Sequence, residues 1–197
     1  VYQKGIEDHL STAQYNRDEH QNAVVQDIAD NWLTLSQDSK FHAILATNSI
    51  PEAITYYRLL KAKHPQLKIT TLFDPHISDD DSGGGTDPAL KTAGLVEILT
   101  DYNAMYGQKF DLGTHANFKT DLAARLAHKK PYQRIETEPS KQLDLLIVVN
   151  QMLTGFDSKW VNTLYLDKLL EYENIIQAFS RTNRLAGPDK PFGTIRY

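Results

Sequence analysis

The run Leu145-Leu146-Ile147-Val148-Val149 constrains the fold more than any other feature of this sequence. From Leu143 to Val149 only Asp144 is polar, so the in-out alternation of a strand with one wet face is missing. A strand of this kind is buried on both faces, as in a parallel sheet covered by helices. The sequence around it supplies the other parts. Phe41–Thr47 is a second apolar run of strand length, and Lys68–Phe73 alternates into a third. Between them, Asn48-Ser49-Ile50-Pro51-Glu52 offers a cap, a proline for the first turn and an acid for the helix N-terminus. The helix it opens should run to about Lys63, before Pro65. Strand, helix, strand at these lengths predicts a parallel sheet with a right-handed crossover.

Residues 18–36 predict an amphipathic helix, with Val24, Val25, Ile28, Trp32 and Leu35 at helical spacing. Asp79-Asp80-Asp81-Ser82-Gly83-Gly84-Gly85 reads as a linker. Leu95, Ile98, Leu99, Tyr102 and Met105 then form one helical stripe, and Phe118, Leu122 and Leu126 a thinner one. Residues 74–140 are expected to be a helical insertion, or excursion, from the sheet. The sheet should resume at Leu143–Val149 and continue with Val161–Asp167. A helix over Tyr172–Arg181 and a last strand over Gly193–Tyr197 complete the reading. The expected division is an N-terminal arm and connecting helix at 1–40, and one α/β domain at 41–197.

Several classes of protein are disfavoured. The longest apolar run is too short for a bilayer, no signal-peptide pattern opens the chain, and there is no cysteine, so a cytoplasmic setting is expected. The formal net charge of −4 argues against a dedicated nucleic-acid coat, though not against a protein touching a few phosphates. Val1 and Tyr197, the latter within an expected strand, suggest a piece of a longer chain. No G-x-x-x-x-G-K-[ST] loop is present, so ATP hydrolysis by this chain alone is not expected. Asp18-Glu19-His20 imitates the acidic box of a motor but follows no buried strand. Asp157-Ser158-Lys159 and Asp38-Ser39-Lys40 imitate part of a nuclease signature without its upstream acid. The aspartate-rich linker has Leu90 where a calcium loop needs glutamate, and no metal site is expected. His42 and His64 read as packing or surface residues, and Tyr56-Tyr57 as a pair packing a helix on the sheet.

Two segments carry chemistry. Gln177, Arg181 and Arg184 fall at i, i+4 and i+7, which puts them on one face if the helix runs through all three. Two guanidinium forks on one face suit a polyphosphate. Alone, the pattern is equally that of a solvated charged helix. Thr154-Gly155-Phe156-Asp157 follows the buried strand, at the end where open α/β sheets hold ligands. A glycine there admits close backbone approach, and a threonine hydroxyl suits a phosphate, although an ordinary turn would read the same way.

Together these segments resemble a known family. Leu145–Lys168 looks like motif V and its flank in superfamily 2 helicases, and Ile176–Leu185 looks like motif VI. Both are most similar to the restriction (R) subunit of type I restriction-modification enzymes, and Phe41–Lys61 resembles that family's motif IV region. The resemblance implies a RecA-like, three-layer α/β domain: the second lobe of an ATP-dependent translocase of double-stranded DNA. It implies that Arg184 is an arginine finger on ATP with Mg, bound mainly by an absent first lobe, with Arg181 beside it and Gln177 orienting the helix. Thr154 would contact the DNA backbone, while Gly155 and Asp157 couple it to the nucleotide. Thr47 and Asn48 are candidate DNA contacts at the end of the first sheet strand. Modification and specificity subunits would be further partners. The alternatives are the second lobe of another superfamily 2 helicase, or a non-enzymatic α/β binding domain whose arginines pair with its own acids.

Overall fold

The computed structural model describes residues 18–74, 87–149, 158–167, 180, 182, 184–188 and 190–196. Within them lies a five-stranded sheet of order β2-β3-β1-β4-β5, and every pairing is parallel. The strands are β1 (His42–Thr47), β2 (Ile69–Leu72), β3 (Leu145–Val149), β4 (Val161–Asp167) and β5 (Thr194–Arg196). The helices are α1 (Asp18–Ser36), α2 (Ile50–Lys63), α3 (Pro88–Tyr106) and α4 (His115–Leu126). The parallel α/β class expected from the doubly buried strand is what forms. β3 lies inside the sheet between β2 and β1, and its first four residues are fully buried.

α2 starts where its sequence requires. Ser49 is the cap, accepting from the Glu52 N–H, and proline stands in the first turn. Its buried face, Ile50, Ala53, Ile54, Tyr57 and Leu60, lies in the same core as the strands. α1 joins that core through Val25, Ile28 and Trp32. Asn162 of β4 donates to Leu35 O at 2.7 Å, and Arg196 of β5 grips Asp27 with two hydrogen bonds. The helix read as an arm is therefore part of the domain's packing. Residues 37–39 form a left-handed turn closing α1, with φ of 50°, 57° and 63°. The nuclease-like Asp38-Ser39-Lys40 lies in that turn.

The helices of the segment read as an insertion, or excursion from the sheet, lie on the crossover from β2 to β3. α3 and α4 lie between β2 and β3, which are parallel neighbours, and a parallel pair needs a long connection. Leu95, Ile98, Leu99, Tyr102, Phe118, Leu122 and Leu126 all belong to the common core. Met105, expected in the stripe, is exposed, and Tyr106 packs on the core in its place. The stripe drifts because 3.6 residues per turn carries the inward face from Tyr102 to Tyr106, not to 105. α3 ends at Gly107, whose φ of 66° is the left-handed cap that glycine adopts without a Cβ penalty. Arg125, 1% exposed, fastens the layer: it donates to Tyr102 OH at 2.9 Å, Tyr132 OH at 2.8 Å and Asp121 at 3.2 Å. Its guanidinium also lies 3.7 Å from the Tyr106 ring centroid.

Candidate functional site

Parallel register brings three strand exits level. Thr47 of β1 pairs with Val149 of β3 on one side and with Asp167 of β4 on the other. The segments 150–157 and 168–184, which contain the two motifs, come next in sequence after Val149 and Asp167. In open parallel sheets this carboxyl edge is where ligands lie. The turn from β1 into α2 supplies the rest of the edge: Asn48 at the corner, Glu52 in the first turn of α2, and Tyr56 one turn later.

The polar groups of the edge are interlocked. The Asn48 N–H donates to Glu52 Oε2 at 2.8 Å, and its side-chain amide donates to the Asp167 carbonyl at 3.3 Å. The Tyr56 hydroxyl donates to Asp167 Oδ2, and His20 of α1 places Nε2 2.6 Å from Asp167 Oδ1. Glu52 and Asp167 are both buried. Burial raises the Glu52 carboxyl to about 7, and the neighbouring Asp167 adds to the shift. Burial and the hydrogen bond to Asp167 also push the Tyr56 phenol up.

The residues expected at the site are distributed as follows. Thr47 ends β1 as expected, but its side chain is fully buried. Its hydroxyl donates to Val148 O at 3.2 Å and to Ser49 O at 3.4 Å, so it secures the corner from within. Asn48 is half-buried at the corner itself. Arg184 is exposed. Ser180 and Thr182 are helical, whereas Arg184 stands past the helical residues, so a single helical face through it is not what the described residues display. Thr182 is buried against β5's approach: a Cβ on Gly193 would lie 2.2 Å from Thr182 O, so only glycine fits there. Gln177, Arg181, Thr154, Gly155 and Asp157 lie outside the described residues.

Sequence reasoning missed a cluster at the opposite end of the sheet. His42, one of the two histidines read as packing or surface residues, is buried; its Nδ1 lies 2.5 Å from Leu143 O, and its Nε2 lies 2.9 Å from His128 Nε2. His128 stacks on Trp160 with ring centroids 4.1 Å apart. Burial holds His42 down at about 3 and His128 at about 4, so both are neutral near pH 7. With Nδ1 donating to Leu143, His42 Nε2 accepts from His128. Lys190 is buried nearby and donates to Lys159 O and Val161 O at 3.1 and 2.6 Å; burial lowers its ammonium to about 8. Spacings of 86 residues for the histidines carry no sequence signal. Among the described residues no group of three or more His, Cys, Asp or Glu side chains could hold a metal ion, and no helix is long and apolar enough to cross a membrane.

Residues 39–197 match the family described as type I restriction enzyme subunit R domain 3 (T1R_D3-like). The chain is 34% identical over 183 residues to the type I restriction enzyme SsaAORF53P endonuclease subunit of Staphylococcus saprophyticus, covering 90% of this chain and 19% of that protein. To the SauCOLORF180P endonuclease subunit of Staphylococcus aureus it is 36% identical over 176 residues, covering 87% and 18%. It thus spans about a fifth of the length of these curated relatives. Among solved structures, a chain described as Mss116p DEAD-box helicase domain 2 bound to an RNA duplex is similar with a TM-score of 0.48 and 16% identity. That match covers 89% of this chain and 48% of the other.

Proposed function

The chain belongs to the family of type I restriction enzyme subunit R domain 3, and from that premise we propose that it is the second lobe of a DNA-translocating ATPase motor. The observation that carries this reading is the level carboxyl edge of β3, β1 and β4, after which the Thr154 and Gln177–Arg184 segments follow directly in sequence. A motor lobe needs its nucleic-acid contacts and its nucleotide sensor on mechanically connected elements. Two parallel strand exits, one on either side of β1, provide such a connection.

In this reading ATP with Mg is held mainly by a first lobe that is not part of this chain. Arg184 reaches the γ-phosphate as charge develops on it, Arg181 assists, and Gln177 orients the segment. Guanidinium groups suit that task because they stay charged and match phosphate oxygens in pairs. Thr154 and the half-buried Asn48 contact the DNA backbone, with Thr47 supporting Asn48 from the interior. Gly155 and Asp157 link the two. Opening and closing of the cleft between lobes then moves the DNA-contacting edge along the duplex. Modification and specificity subunits of the complex would supply target recognition, and DNA cleavage would belong to another part of the full subunit.

The reading is tested by comparing ATP turnover of this chain alone with that of the same chain joined to its first lobe, with and without duplex DNA. The joined protein should hydrolyse ATP in a DNA-dependent manner and the chain alone should not, because it has no phosphate-binding G-x-x-x-x-G-K-[ST] loop. Turnover by the chain alone would contradict the proposal.

A further inference from the structure

Among the described residues, the Glu52 carboxyl at the carboxyl edge has an oxygen with no donor. Glu52 Oε2 accepts from the Asn48 N–H, Asp167 Oδ2 from the Tyr56 hydroxyl, and Asp167 Oδ1 faces His20 Nε2. Among the described residues Glu52 Oε1 is buried with no hydrogen-bond partner, and the Asp167 carboxyl, tied to the same corner through Asn48 and Tyr56, is near enough to act on the Glu52 carboxyl. Ionised carboxylates only accept, so two of them side by side would leave Oε1 unsatisfied and repelled. A single proton on Oε1 resolves both problems, because it turns the orphan acceptor into a donor to Asp167.

We propose that Glu52 is a positioning residue that carries a proton in the folded chain, donates it in a hydrogen bond to Asp167, and so fixes the Asn48 corner to the exit of β4. Asn48 is held twice, through its main chain by Glu52 and through its side chain by the Asp167 carbonyl. The proton also removes one negative charge from an edge that, in the function proposed above, meets DNA phosphates. That consequence rests on the motor reading; the proton assignment does not.

Among the described residues, the titratable groups facing Glu52 are Asp167 from β4, Tyr56 of its own helix one turn on, and His20 from α1, which reaches it through Asp167. Of these, burial and Asp167 act on Glu52 in the same direction, toward a midpoint of about 7. The direct test follows the Asn48 amide proton by NMR in the native chain between pH 5 and 9, because that N–H donates to Glu52 itself. It should titrate with a midpoint near 7 in the native chain and in His20→Asn, and should not titrate in Glu52→Gln, whose amide donates to Asp167 at every pH. A midpoint in the ordinary carboxylate range, or the same titration in Glu52→Gln, would overturn the proton assignment.

The positioning role has its own readout in the full-length subunit. If the neutral acid is required, DNA-dependent ATP turnover should fall about tenfold per pH unit above the midpoint. Turnover of Glu52→Gln should stay level over that range. Coincident pH profiles for the two proteins would overturn the positioning role. Absence of DNA-dependent turnover in the native subunit would overturn the motor reading alone, and the Asn48 titration would still decide the proton.

Discussion

His42 and His128 meet across 86 residues of sequence and share one hydrogen bond, which no spacing argument could have found. Their chemistry nevertheless makes a definite statement about pH. In the unfolded chain each histidine titrates near 6.5, whereas in the fold burial holds them at about 3 and about 4. Between those values the unfolded chain binds more protons, so acid favours unfolding. The contribution of the pair is complete above pH 6.5 and is lost as the pH falls toward 4. Glu52 acts with opposite sign, since its raised carboxyl favours the fold as the pH falls from 7 toward the ordinary glutamate value. The native profile sums these effects, and substitution separates them. Urea unfolding of His128→Gln should lose less stability between pH 6.5 and 4 than the native chain; an unchanged acid slope would show that His128 is not buried neutral. At this scale the sequence was informative for residues that act through a local pattern. The Ser49 cap, the proline of the first turn and the run of β3 could be read directly. Residues that act across the fold, such as Arg125 within its tyrosines or Asp167 beneath Tyr56, could not.

Elements were legible where periodicity decided them, and less so where their destination mattered. Both crossover helices stand over the stripes that announced them, yet a stripe says only that a face is buried, not against what. Read along the chain, 74–140 interrupts the sheet; in space α3 and α4 connect β2 to β3, and Tyr57 and Arg58 of α2 bond Asp101 and Glu97 of α3. The strand order was hidden for the same reason: β1 and β2 flank a helix in sequence, but β3 inserts between them. α1 gives the sharpest test at this scale. Ile28 is fully buried within the common core, so Ile28→Ala should lower the unfolding free energy by about 2–5 kcal/mol. A loss well under 1 kcal/mol would mean that α1 hangs beside the domain as an arm.

For the whole molecule, the parallel α/β class and the family were both legible, the class from one doubly buried strand and the family from the wording of three segments. What was not legible is how the edge is wired: the interlock of Asn48, Glu52, Tyr56, His20 and Asp167 is assembled from α1, α2 and β4 and has no sequence signature. The central claim is that this lobe lends an arginine to a nucleotide bound by its partner lobe. The measurement that bears on it most directly is DNA-dependent ATP turnover of the full-length subunit, native against Arg184→Ala, with DNA affinity measured alongside. An arginine finger predicts a fall in turnover of about 10³–10⁵-fold with DNA binding retained. Turnover within a few-fold of native in the Arg184→Ala subunit would contradict the claim.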